Sequence, residues 1–234
     1  ASDVYKRQAV GMAGIATADF ETTTDPKDCR VWAWAVCPVD DAEQVYYGNS
    51  IQTFFQFLAR GLFDDVWFHN LAFDGKFMID YLLKHDYVWV PEKPCSGEFT
   101  TLISHMGKFY DIEIRFTNGA KVRFLDSFKV FPMPVRALAK TFNLPVQKGE
   151  LNYREYREPG HKITPEELEY LKHDVQITAM ALALNFEQGL EKMTIGSNAF
   201  TFFKEQFGGA KVFKKFFPSL SLEVDAELRK SYRG

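Results

Sequence analysis

Apolar residues recur along the chain with period two in some stretches and with period three to four in others, and the change from one rhythm to the other sets out the elements. Gly14 to Phe20 reads as a short apolar-rich strand. Arg30 to Val36 alternates around Val31, Trp32, Trp34 and Val36 and pairs with it as a hairpin. Ser50 caps a helix through about Arg60, Val66 to Phe68 is a buried strand, and a helix runs from about Phe73 to Lys84. Tyr87 to Val90, Thr100 to Ser104, Phe109 to Phe116 and Lys121 to Leu125 read as further strands, with Asn118-Gly119 turning the last two. Pro132 and Pro134 break the chain before a short helix, Val135 to Phe142. Thr164-Pro165-Glu166-Glu167 then combines a capping Thr, a Pro at the first helical position and a reciprocal Glu, and predicts a long helix to about Lys192. Strands interleaved with helices, without internal repeat or low-complexity tract, predict an α/β layered domain with a mixed sheet covered by helices.

Composition bounds this picture without changing it. The 234 residues are 46% hydrophobic, 25% charged and 16% aromatic, and the 23 Phe supply bulky core material. Cys29, Cys37 and Cys95 are scattered with no CxxC pair, which argues against a disulfide framework or zinc knuckle and for a reducing compartment. No run approaches the roughly 18 apolar residues of a spanning helix, and the first twenty residues lack the order of a signal peptide. Membrane insertion and secretion drop out, and an intracellular location is expected.

The net charge of -3 conceals a pattern. Residues 1–114 carry 9 Lys and Arg against 17 Asp and Glu, residues 115–148 carry 7 against 1, and residues 149–234 carry 12 against 13. The basic middle segment (Arg115, Lys121, Arg123, Lys129, Arg136, Lys140, Lys148) is either a stripe that tracks a phosphate backbone or an ordinary solvated face. The chain ends are read separately. Asp3 to Gln8 match the translation of GAT GTG TAT AAG AGA CAG, the mosaic end of transposase-based sequencing libraries, so residues 1–8 are expected to be adapter. The abrupt stop at Ser231-Tyr232-Arg233-Gly234 adds the expectation of a fragment.

Asp19 and Glu21 end the first strand two residues apart, so both carboxylates share a face while Phe20 turns to the core. Like charges so close are relieved by a divalent cation or a proton, although a solvated strand end also carries such pairs. Asp74 begins a helix, where its charge complements the helix N-terminus. Asp174 lies on the long helix, whose core stripe is Leu168, Leu171, Val175, Thr178 and Leu182, and Tyr170 lies one turn before it, as a site residue or a core Tyr.

Strand Asp-x-Glu, helix-start Asp and long-helix Asp, with Tyr four before the last, resemble the DEDD exonucleases of the ribonuclease H-like fold, Tyr subclass. Asp19-Phe-Glu-Thr-Thr-Thr24, Phe68-His-Asn-Leu-Ala-Phe-Asp-Gly75, Asp126-Ser-Phe-Lys129, Lys148-Gly-Glu-Leu-Asn-Tyr153, Lys162-Ile-Thr-Pro-Glu-Glu167 and Tyr170-Leu-Lys-His-Asp174 narrow this. With Tyr232-Arg-Gly234, they resemble the N-terminal 3′–5′ exonuclease domain of protein-primed family B DNA polymerases of phages and linear plasmids, from about Ile15 onward.

The resemblance implies two-metal phosphodiester hydrolysis, with two Mg²⁺ or Mn²⁺ ions held by Asp19, Glu21, Asp74 and Asp174. Tyr170 would orient the attacking water, since a phenol of pKa about 10 is a poor base at neutral pH. Lys148 would offset developing charge, or be one more member of the basic stripe. Thr22, His69, Asn70, Phe73, Ser127, Phe128 and Tyr153 match strand-binding positions, Phe128 departing from the aliphatic residue the family has there. Phe77 falls near a contact position but is also an ordinary core partner of Phe73. The domains implied are an exonuclease over residues 9–197 and a short helical connector over 198–234 toward a missing polymerase domain. The partners implied are the single-stranded 3′ end of DNA, that polymerase domain in cis and a priming terminal protein, with no membrane. A stand-alone DEDD exonuclease and a catalytically silent single-strand or protein-binding module are the rival readings.

Overall fold

The computed structural model describes residue 12, residues 14–153 and residues 155–231. Residues 1–8 and the Tyr232-Arg233-Gly234 end lie outside the described residues. The alternating runs form one mixed sheet of eight strands: β1 (Ile15–Thr22), β2 (Val31–Pro38), β3 (Tyr46–Gly48), β4 (Asp65–Phe68), β5 (Val88–Trp89), β6 (Glu98–Ile103), β7 (Phe109–Arg115) and β8 (Lys121–Asp126). Their order is β3-β2-β1-β4-β8-β7-β6-β5. The hairpin read from the sequence is present, β1 pairing antiparallel with β2, while β1, β4 and β8 run parallel. Their carboxyl ends therefore meet at one edge of the sheet, the place where open α/β sheets carry ligands.

The period of β1 assigns its residues to two layers. Ala16, Ala18 and Phe20 join Trp34, Val36 and Phe54 in one core, covered by α1 (Ile51–Leu58) and α2 (Leu71–Lys84). Thr17, Asp19 and Glu21 point the other way, toward the face where Ala33, Ala35 and Cys37 meet α3 (Val135–Thr141) and α4 (Pro165–Glu187). The expected stripe of α4 widens in its second half, where every residue from Ile177 to Ala183 is buried. Thr164 and Glu167 form the reciprocal cap read from the sequence.

Differences from the sequence reading have local causes. The long helix stops at Glu187, before Lys192, because Gly189 takes φ 74 and the amides of Gly189 and Leu190 close onto Phe186 and Asn185 carbonyls at 2.8 and 3.1 Å. Three residues of β3 are too few to show a period. Gly48 is there because a Cβ would stand 2.6 Å from the Trp34 indole. The helix assigned from Phe73 begins at Leu71, capped from another strand as described below. No helix among the described residues is long and apolar enough to cross a membrane.

The chain divides into one unit through Thr194 and a second from Ile195. The second holds α5 (Ile195–Gln206), α6 (Ala210–Phe216) and α7 (Leu222–Ser231). Helices α5 and α6 meet through phenylalanines, with Phe213 edge-on to Phe200 at 5.5 Å and to Phe203 at 5.8 Å. Asn198 is the one buried residue among its described residues.

Candidate active site

Because β1 alternates, Asp19 and Glu21 face α4, and Thr17 on the same side donates its hydroxyl to the Val175 carbonyl at 2.8 Å. That bond sets the strand against the helix one residue from Asp174. Asp19, Glu21 and Asp174 then offer carboxylate oxygens all within 4.8 Å of one another. Asp74 lies outside that cluster but lines the same pocket of about 290 Å³, along with Thr22, His69, Asn70, Phe73, Lys148, Tyr153 and Tyr170. Its helix reaches the sheet because Gly75 follows: a Cβ there would stand 3.0 Å from Ile112.

Burial dominates the electrostatics. It pushes the Asp19 carboxyl up to about 7, helped by the charge of Asp174, and Glu21 up to about 9, helped by Asp19. Burial and the Asp19 charge hold Asp74 well above the usual carboxylate range, and burial raises Asp174 against the opposing pull of Lys148. Burial, the Asp174 charge and a hydrogen bond with Tyr153 raise the Tyr170 hydroxyl far above neutrality, so it stays a phenol. Lys148 approaches Asp174 Oδ2 at 2.5 Å. Burial works against its charge, but the charge and hydrogen bond of Asp174, with the charge of Asp19 and the neighbouring Tyr153, outweigh this and keep the ammonium protonated.

Most of the basic stripe is paired with acids outside the pocket. Lys121, Arg123, Lys129 and Arg136 pair with Glu113, Asp65, Asp126 and Glu150, so of these cations Lys148 belongs to the pocket.

Lys148 and Tyr153 arrive on the irregular segment between α3 and α4. Tyr153 Oη lies 2.6 Å from Tyr170 Oη, and its carbonyl accepts from the Thr24 hydroxyl at 3.2 Å. Buried Arg157 anchors the base of the segment. Its Nε donates to Glu167 at 2.9 Å, its Nη1 to the Asn152 and Glu155 carbonyls at 2.7 Å, and its guanidinium covers Trp32. No periodic pattern marks Arg157, and Thr24 stands in the sequence only as the last residue of the Asp19–Thr24 motif, with no role assigned to it.

Two of the residues expected to bind the strand, Ser127 and Phe128, do not line this pocket. Ser127 is fully buried, its hydroxyl 3.0 Å from His69 Nδ1 and 3.1 Å from the Phe68 carbonyl. The Met133 carbonyl, 2.8 Å from Nε2, can only accept, which places the His69 proton on Nε2. Burial lowers the His69 pKa and favours this neutral form. Phe128 sits edge-on to His69 at 5.4 Å. Phe73 is 47% exposed at the pocket, its ring centre 5.7 Å from that of Phe77, which packs on the core.

The residues fit divalent ions. The donors are all carboxylates, the preference of Mg²⁺ and Mn²⁺, and Asp74 Oδ1 and Asp174 Oδ1 are buried without a hydrogen-bond partner.

The chain is similar to known proteins over nearly its whole length. A family model described as DNA polymerase type B, organellar and viral, matches residues 64–159 and 153–234. The DNA polymerase of Bacillus phage Nf is 43% identical over 222 residues, covering 93% of this chain and 38% of the relative, and that of Streptococcus phage Cp-1 is 30% identical, covering 95% and 40%. The solved structure of phi29 DNA polymerase complexed with single-stranded DNA superposes with a TM-score of 0.87 at 40% identity, covering 95% of this chain and 40% of that one. The ribonuclease H-like architecture expected from the motifs is borne out by that superposition. The chain thus spans about two fifths of these relatives. With its mixed sheet, acidic pocket and these matches, it belongs to the type B DNA polymerases of the organellar and viral kind.

Proposed function

We propose that the chain is the 3′–5′ proofreading exonuclease domain of a DNA-directed DNA polymerase, hydrolysing the last phosphodiester of a single-stranded 3′ end. The observation that carries this reading is the convergence of Asp19, Glu21, Asp74 and Asp174 with Lys148 and Tyr170 in one pocket. Asp19, Glu21 and Asp174 would hold one divalent ion, Asp19 and Asp74 the second. Bound there, the two ions supply Lewis-acid stabilisation of charge on the attacking and leaving oxygens.

The protein groups do the positioning. Tyr170, kept as a phenol, orients water rather than deprotonating it. Lys148, kept charged beside Asp174, offsets negative charge as the bond to phosphorus forms and the bond to the 3′ oxygen breaks. Phe73 offers a stacking face for a terminal base, a contact that contributes about 1–3 kcal/mol per base in single-strand binders. Thr22, His69, Asn70 and Tyr153 surround the strand. The second unit would act as the connector to a polymerase domain in cis, and that domain and a priming protein are the macromolecular partners this reading implies.

Purified protein with Mg²⁺ and 3′-labelled single-stranded DNA is expected to release mononucleotides, and an Asp19→Ala/Asp174→Ala variant to release none. Equal release from the variant would refute the assignment. Strand binding without release by the wild type would favour the silent module.

A further inference from the structure

The turn between β4 and α2, together with the first turn of α2, carries four pocket residues, His69, Asn70, Phe73 and Asp74, and it draws its cap from outside the segment. Asn70 caps α2 in the left-handed region, at φ 79 and ψ 56, and its side chain makes no capping bond. For a residue with a Cβ that conformation needs support from its surroundings, and the first amides of the helix need acceptors. Both come from β8. Asp126 is 2% exposed, and its Oδ1 accepts from the amides of Asn70 at 3.0 Å, Leu71 at 3.3 Å and Phe128 at 3.0 Å. Lys129 Nζ stands 2.9 Å from Oδ2. The parallel register of β4 and β8 sets Asp126 beside Phe68, directly before the turn. Asp126 is not among the residues lining the pocket.

We propose that Asp126 is a positioning residue: its Oδ1 fixes the His69–Asp74 turn, and so sets how the site holds a single strand and presents Asp74. The proposal rests on the exonuclease reading for its activity readout. Its structural part stands on the three amide bonds alone.

Position and charge can be separated by substitution. Asp126→Asn keeps an oxygen where Oδ1 lies and loses the charge; Asp126→Glu keeps the charge and moves the oxygen by a methylene. A positioning role therefore predicts that Asn rescues and Glu does not, whereas a role for the charge predicts the reverse. The full 234-residue protein is the material. In Asp126→Ala and Asp126→Glu, amide exchange at Asn70, Leu71 and Phe128 is expected to quicken at least about tenfold, and in Asp126→Asn to stay within about threefold of wild type. KM for a single-stranded oligonucleotide should follow the same order, with a smaller fall in kcat, and so should the affinity for a fluorescent oligonucleotide in Ca²⁺. Thermal melting identifies any variant that does not fold, and the Asn–Glu contrast decides if Ala is lost.

Fast exchange with unchanged KM and oligonucleotide affinity overturns the proposal, as does Asp126→Glu outperforming Asp126→Asn. A wild type that releases no nucleotide overturns the exonuclease reading instead. Exchange and Ca²⁺ affinity then still decide the role of Asp126.

Discussion

Lys148 shows how one side chain takes its role from its surroundings. In sequence it is the last of seven cations in a basic segment, and exposed cations of that sort contribute little individually. In the fold it is the one in contact with a buried acid of the pocket, 2.5 Å from Asp174 Oδ2 and 5.1 Å above the Tyr170 ring. In the proposed hydrolysis, a cation there would be most useful when negative charge grows at the phosphate, an interaction stronger in the transition state than in the ground state. Lys148→Met is therefore expected to lower kcat and kcat/KM together, by about 10²–10³ if it resembles the loss of one oxyanion-hole donor. Lys148→Arg should recover only part of this, because the planar fork does not fit where a point charge sits. Single-turnover release of the 3′ nucleotide gives the comparison; a raised KM with unchanged kcat would assign Lys148 to strand binding alone.

Elements bring these residues together, and they differ in how legible they are. The β1–β2 hairpin, the cap of α4 and the Asp-x-Glu face follow from period and capping chemistry, which are local, so the sequence displays them. The contacts that register one element on another are not local. Thr17 reads as a polar residue in a strand, and only the packed fold shows its hydroxyl on the Val175 carbonyl 158 residues away. Ser127 likewise matches a strand-binding motif, but burial behind His69 was not readable from its neighbours in sequence. Thr17→Val keeps the shape and removes the bond between β1 and α4. It should cost about 1 kcal/mol, seen as a lower urea midpoint with unchanged m, and lower kcat more than KM because the two elements carry opposite halves of the acid cluster. An unchanged urea midpoint would show that apolar packing alone sets the register.

At the scale of the molecule, four carboxylates brought to one edge of the sheet link stability to pH and to divalent cations. Asp19 is raised to about 7 and Glu21 to about 9, both by burial first and neighbouring carboxylates second. In the unfolded chain both return to the ordinary carboxylate range, near 4. Between those limits the folded protein binds more protons than the unfolded chain, so stability falls as pH rises. The contribution is fully present below about 4. It is lost progressively as pH rises through about 7 for Asp19 and through about 9 for Glu21. On the two-metal reading, a divalent cation held by these carboxylates would take the place of those protons, and binding to the fold alone would add stability by mass action. The rise in melting temperature caused by Mg²⁺ or Mn²⁺ over EDTA is therefore expected to be small at pH 5 and to grow toward pH 9. Metal binding near pH 7 should release protons, measurable by calorimetry in buffers of different ionisation enthalpy. In Asp19→Ala/Asp174→Ala both the metal increment and its growth with pH should shrink, since the cluster loses two ligands and Glu21 loses the two neighbouring charges that raise it. A metal increment independent of pH would mean that the ions bind elsewhere on the molecule.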